Sequence, residues 1–194
     1  MSGKPDAWKL ARPVWGWGRG VIPRPTPLAE TSNLASQGYL EEDLGKRKVE
    51  ATAALCRRIH SGIEIVSVPE RFRRSMEIGN AVFCAVDKID VRRLIWESAG
   101  NAAPFFTDGR MSAEVLRVLT VCDPQSRQHY PTTLFRTEEG FVGPCTAKTT
   151  IYCANIAAGL MVAQFTKHLR QLPVEADVQM NLLALELTVV DPCP

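Results

Sequence analysis

Four places along the 194-residue chain put chemically useful side chains where a fold can exploit them. Asp87 follows residues 81–86 (AVFCAV), an unbroken apolar run, so it stands at the carboxyl end of a predicted strand. Open α/β sheets bind their ligands at such ends, although the same place suits an Asp that caps the next helix. Asp108-Gly109-Arg110 follows another predicted strand end. Asp-Gly is an ordinary turn sequence, and the turn reading leads for Asp108, with Arg110 open. Cys145 follows Gly143-Pro144 and opens a long predicted helix. That position would lower a thiol pKa and permit thioester or persulfide chemistry. Cys is more commonly a small core residue, which is the expectation here. Lys48 taken alone is a solvated helix lysine, and Asn33 and Gln37 taken alone cap turns.

Other chemistries find no support. His60, His129 and His168 show no metal-ligand spacing, and the six cysteines (Cys56, Cys84, Cys122, Cys145, Cys153 and Cys193) form no C-x-x-C pair. A zinc ribbon or a thioredoxin-like redox site is therefore not expected. The formal charge of +2 is too small an excess to draw nucleic acid or anionic lipid. Arg71, Arg73 and Arg74 read as a solvated face. A composition of 45% hydrophobic and 23% charged residues is that of one folded domain. No secretion signal or apolar stretch near the ~20 residues of a membrane span is visible, so a reducing cytoplasm is the expected location.

These residues need elements to hold them. Residues 1–29, with five of the 13 prolines and three of the four tryptophans, read as an irregular segment. A helix is expected from Asp43, its N-cap, with Leu44, Val49, Ala53, Cys56 and Ile59 on one face and Gly62 as the stop. Strands are predicted at 63–68 and 81–86. Asp90 then caps a helix with Val91, Leu94, Ile95 and Ala99 inward, ending near Gly100. Extended chain resumes at 104–107. Strands at 114–122 and 132–136 follow, separated by a turn-rich stretch at 123–130. A helix over 146–170 carries Ile151, Ala154, Ala158, Met161, Phe165 and Leu169 as its stripe. A final strand spans 178–189, with a register shift between Leu182 and Leu185. This order predicts an α/β fold with a Rossmann-like, mostly parallel sheet, flanking helices and an antiparallel C-terminal part.

Glu30-Thr-Ser-Asn-Leu-Ala-Ser-Gln37, followed by Asp43-Leu-Gly-Lys-Arg-Lys48-Val-Glu-Ala, resembles a pattern in which S-N-L-x-R-Q precedes G-x-x-K and a helix. Val86-Asp87-Lys-Ile-Asp-Val-Arg92 is similar to the strand-end D-x-x-x-x-R of the same pattern. Gly143-Pro144, leading into the long helix and closing on Leu172-Pro173, resembles its late helix. Together these segments resemble the ThiF/MoeB/HesA adenylating family, relatives of ubiquitin-activating enzymes, over residues 30–194. The resemblance implies an enzyme that joins the C-terminal carboxylate of a ubiquitin-like or sulfur-carrier protein, ending in Gly, to AMP from ATP. It assigns Asp87 to Mg²⁺ and Lys48 to charge on the phosphates. Asn33 and Gln37 would contact nucleotide, and Arg92 would tie down the helix after Asp87. It also implies a homodimer.

The chain departs from the family pattern near its start. The family opens with a strand, a G-x-G-x-x-G turn, a helix and a strand ending in Asp-x-Asp. Here Gly16-Trp-Gly18-Arg-Gly20 has a different spacing, and 12 residues separate Gly20 from Asn33, against the ≈ 30 or more of a βαβ unit. Ser36 occupies the place of the motif's Arg. The expectation is a ThiF-like domain lacking the first βαβ unit, N-terminally incomplete. The alternative is a catalytically inactive carrier-binding or scaffold module. A nicotinamide-linked oxidoreductase is disfavoured, because a dinucleotide fingerprint is what the chain lacks.

Overall fold

The computed structural model describes residues 28–100, 102–135 and 150–190. The segment before Leu28, the Cys145 region and Arg136 lie outside the described residues, as does the predicted start of the long helix.

Helix α1 (Thr31–Gln37) begins where Asn33 Oδ1 accepts the Glu30 N–H at 3.0 Å and ends at Gly38, whose φ of 69° is the left-handed conformation of a helix stop. Asp43 does not cap a helix. It closes a short 3-10 turn (Glu41–Asp43), accepting the Leu40 N–H and the Lys46 ammonium. Gly45, at φ 78°, then breaks the chain, and α2 (Lys48–Ile59) starts only after it. Lys48, Val49, Ala51 and Ala53 form the buried face of α2, whereas Ile59 is 79% exposed.

The strand predicted at 63–68 is absent. Ile63 and Ile65 do alternate inward with exposed Glu64 and Val66. The segment lies beside α2, however, bound through Arg57 to Ile65 O and Ser67 to Val49 O instead of a strand ladder. Period-2 burial marks a chain lying flat on a surface, and without a neighbouring strand it makes no sheet.

Strand β1 (Ala81–Cys84) is the apolar run, and helix α3 (Ile89–Ala99) crosses over to β2 (Phe105–Ser112), which pairs with β1 in parallel. Lys88, not Asp90, holds the N-cap position of α3. Strands β2 and β3 (Val115–Val121) make an antiparallel hairpin. The chain predicted as a turn and then a strand at 123–136 is instead α4 (Pro124–Thr132): Asp123 accepts the Gln125 and Ser126 N–H groups, both at 2.9 Å, and Pro124 takes the first helical position. Asp-Pro with Ser three residues on is a helix start, and its turn-prone residues disguised it.

Helix α5 (Ile151–Leu169) buries Cys153, Ala157, Met161 and Gln164, so its inward face is rotated from the predicted stripe; Ile151 and Leu169 are exposed. The final strand is two strands, β4 (Asp177–Asn181) and β5 (Glu186–Val189). The expected register shift is their hairpin, with Asn181 Oδ1 accepting the Leu183 and Ala184 N–H groups.

The sheet runs β1-β2-β3-β4-β5, with one parallel pairing and three antiparallel ones. Helices α3 and α4 cover one face, where Ile95, Phe106, Leu119, Val121 and Tyr130 pack together. Helix α5 covers the other, over Leu116 and Val118. It lies so close that a Cβ on Gly109 would fall 2.7 Å from Met161 Sδ. This is the α/β fold with flanking helices and an antiparallel C-terminal part; among the described strands the sheet is mixed and not mostly parallel, because hairpins join β2 to β3 and β4 to β5 where helical crossovers would have kept the strands parallel.

Candidate functional site

Beyond the carboxyl ends of the parallel pair β1 and β2 lies a cavity of about 1100 Å³. Asn33 and Gln37 reach it from α1, Lys48 from the start of α2, Asp87 from the end of β1 and Arg92 from α3. All five predicted site residues therefore line one space, although they come from segments up to 59 positions apart (Asn33 to Arg92). Gly109, Arg110 and Met111 complete the β2 side, and the first turns of α5 add Ile151 and Ala154.

The α1–α2 wall is built from local contacts. Lys48, 7% exposed, donates its ammonium to Gln37 Oε1 at 2.8 Å and sits 5.8 Å from the centre of the Tyr39 ring. Burial lowers its pKa, while the Asp87 and Glu30 carboxylates pull it back up. Asn33 is held by its cap bond to Glu30, which leaves its amide N–H groups and the second lone pair of Oδ1 for another partner.

Asp87 is exposed and opens onto the cavity. Partial desolvation raises its carboxyl pKa, and Arg92, Lys48 and Lys88 oppose that rise. Among the described residues no three His, Cys, Asp or Glu side chains group as a metal cage. The donor set suits a hard cation shared between one carboxylate and the oxygens of a bound ligand, the way Mg²⁺ is held on phosphates.

The sheet side is built differently. Asp108, which the turn reading placed in a loop, is a fully buried residue of β2. Its carboxylate accepts from Arg92 Nη1, from Arg110 Nε at 2.8 Å and from the Tyr130 hydroxyl at 2.9 Å. Arg92 also donates to Gly109 O at 3.1 Å, tying α3 to β2. Arg110 donates to Thr133 O at 2.7 Å and Thr133 Oγ1 at 3.1 Å, with its guanidinium 5.5 Å from the Tyr130 ring centre. Burial pushes the Tyr130 hydroxyl up and the Arg92 guanidinium down. Tyr130 stays a neutral donor, and an arginine keeps its charge at any ordinary pH. The sequence marked Asp108 only as a turn residue and gave no sign of Tyr130 or Thr133, because α4 was not recognised and nothing local links 108 to 130.

The cavity is lined by both signs of charge, with Lys46, Lys48, Arg58, Arg92 and Arg110 facing Glu30, Glu42, Asp43 and Asp87, and Lys48, Arg92 and Arg110 stand at the carboxyl ends of β1 and β2. Such a space suits an anionic ligand at the ligand-binding end of an α/β sheet.

Comparison with known proteins agrees with the fold. PaaA superposes with a TM-score of 0.67 at 15% identity, over 85% of this chain and 62% of PaaA. E. coli MccB with MccA-N7isoASN superposes at 0.70 and 13% identity, over 86% of this chain and 55% of MccB. The microcin C7 biosynthetic enzyme MccB in complex with N-formylated MccA gives 0.70 at 12%, over 86% and 56%. The chain thus spans roughly three-fifths or less of the length of these structures. No curated protein matches it in sequence. The sequence model of the ThiF family matches residues 28–190, which takes in every described element and every cavity residue named above, and the chain belongs to the ThiF family.

Proposed function

We propose that residues 30–194 form a ThiF-like adenylating domain that activates the C-terminal carboxylate of a ubiquitin-like or sulfur-carrier protein ending in Gly. The observation that carries this reading is the convergence of Asn33, Gln37, Lys48, Asp87 and Arg92 on one cavity. The fold neighbour MccB supports it, since its structures include complexes with ATP and with N-formylated MccA.

In the proposed reaction a carboxylate oxygen of the carrier attacks the α-phosphorus of ATP. A C–O–P linkage forms, the bond to the β-phosphate breaks, and pyrophosphate leaves with the electron pair. A thiol or sulfide then displaces AMP at the acyl carbon. Lys48 neutralises charge on the phosphates, and Asn33 and Gln37 position the nucleotide. Asp87 would hold Mg²⁺, whose contribution is to draw negative charge from the phosphate oxygens. Arg92 fixes the start of α3 behind Asp87. Fixed positive charge that needs no reorganisation supplies most of the acceleration. A homodimer and a cytoplasmic location belong to the same proposal. Strand β5, last in the strand order and exposed along its length among the described residues, supports the first. Among the described residues no helix is long and apolar enough to cross a membrane.

ATP–pyrophosphate exchange tests the reading. With a Gly-ended carrier, exchange is expected, and Lys48→Ala and Asp87→Ala abolish it. An absence of both exchange and ATP binding by the unmodified chain would overturn it. The glycine spacing at Gly16, Gly18 and Gly20 favours a second reading, a carrier-binding module without adenylation. It predicts carrier binding that survives both substitutions, with no exchange.

A further inference from the structure

We propose that Arg110 receives the carboxylate of the acyl substrate, with Asp108, Tyr130 and Thr133 as positioning residues that fix its guanidinium at the cavity wall. The proposal rests on the adenylation reading. It adds the residue that would distinguish a free C-terminal carboxylate from other peptide ends.

The first support is charge. Two guanidinium groups, Arg92 and Arg110, share the one buried carboxylate of Asp108, and Asp87 lies beside Arg92, so the local cationic excess falls on Arg110. The nearby Cys84 thiol is fully buried and pushed up by that burial, so it adds no negative charge. A cationic excess under a cavity stabilises an anion placed above it, because uncompensated charge in a poorly solvated place is costly.

The second support is the donor count. Three of the five Arg110 N–H groups are spent on Asp108 and Thr133. Among the described residues two remain for a ligand, and a planar guanidinium held on one side by a carboxylate is preorganised to take another through its other N–H groups.

The third support is the neighbourhood. Arg110 stands among Met111, Phe135 and Ile151, which line the cavity with 39%, 44% and 38% of their surface exposed. That surround suits the tail of a polypeptide better than a triphosphate. Lys48 and Asp87, which reach the cavity from the start of α2 and the end of β1, are left to the nucleotide.

The test uses the full chain and two probes: a short peptide ending in Gly-Gly as free acid and as C-terminal amide, and a fluorescent ATP analogue. Calorimetric titration of the unmodified chain is expected to show the acid binding at least about tenfold tighter than the amide, the scale of one charge-assisted hydrogen-bond pair. Arg110→Gln should erase that preference while changing ATP-analogue affinity less than about twofold. Arg110→Lys should keep part of the preference, and Tyr130→Phe should weaken it. Equal binding of acid and amide, or a preference that survives Arg110→Gln, overturns the proposal. Loss of ATP-analogue binding in Arg110→Gln with the peptide preference intact also overturns it and assigns Arg110 to phosphate. If Arg110→Gln does not fold, Arg110→Lys and Tyr130→Phe decide the question. A chain that discriminates the peptides but binds no nucleotide would sink the adenylation reading alone.

Discussion

The two walls of the cavity are made by different physics. On the α1–α2 side, Lys48, Gln37 and Asn33 are held by contacts between residues no more than 11 apart in sequence, and Gln37 is exposed. On the sheet side, Asp108 takes its partners from 2, 16 and 22 positions away and has no exposed surface. The first wall sits on the fold, whereas the second is part of its core. Substitutions in the first should therefore affect ligands with little effect on stability, and substitutions in the second should affect both.

The sharpest break in that comparison is Asp108→Ala against Lys48→Ala. Removing Asp108 leaves two buried guanidinium groups and the Tyr130 hydroxyl without their acceptor. Breaking a buried ion pair from one side costs about 3–5 kcal/mol, a large part of the ~5–15 kcal/mol that holds a domain together. Lys48→Ala removes a buried cation that desolvation already disfavours, and the acceptor it leaves, Gln37, is exposed and can turn to water, so the loss should be about 1 kcal/mol. Urea unfolding of both variants measures the difference. Equal losses would mean that the two walls are not distinct.

This contrast also explains what the sequence could reveal. Asn33, Gln37, Lys48 and Asp87 could be grouped as candidates because each belongs to a short motif, and β1 was readable from its apolar run. Helix α4 was not, since Asp123, Pro124 and Ser126 have the composition of a turn and only their order makes a cap. Without α4 there was no reason to bring Tyr130 to Asp108. The α5 stripe was misplaced because the helix carries no charged residue before Lys167, so hydrophobicity alone does not mark its inner face. Cys153 and Gln164 are buried there while Ile151 is not. Burial of Gln164 depends on its bonds to Glu175, a contact that no period encodes.

A second buried carboxylate extends the sheet-side pattern. Asp177, at the start of β4, accepts from Arg117 at 2.9 and 2.5 Å and from His129 Nε2 at 3.0 Å. Burial alone would raise its pKa, but these bonds carry it below the usual carboxylate value. With the folded-state pKa depressed, its stabilisation is fully present above the unfolded value of about 3.9 and is lost as pH falls through the folded one. Thermal melts from pH 7 to pH 2 should show a steep acid limb below about pH 4, shallower in Asp177→Asn. An unchanged limb in that variant would remove Asp177 from the acid response.

Helix α4 transmits stability to the sheet side, because it carries Tyr130 and leads into Thr133. Asp123→Ala removes the acceptor for two backbone N–H groups and should cost about 1 kcal/mol. If α4 holds Arg110 in place, the same variant should weaken whatever Arg110 binds while leaving ATP-analogue binding at the Lys48 wall intact. Equal weakening of both would mean that the cavity loosens as a unit.

The smallest effect is expected at Gln37. Its side chain is exposed and accepts the 2.8 Å bond from Lys48. Gln37→Ala should change unfolding free energy by no more than about 0.5 kcal/mol, the range for surface substitutions. The Lys48 ammonium would nevertheless lose the acceptor that aims it, and a flexible four-carbon stem would then sample several rotamers before meeting a ligand. A weakened affinity for the ATP analogue at unchanged stability is the expected signature of a wall that positions ligand without supporting the core. If Gln37→Ala leaves that affinity unchanged, the aiming of Lys48 falls to Tyr39, whose ring it overlies, and Tyr39→Leu becomes the substitution that separates the two walls.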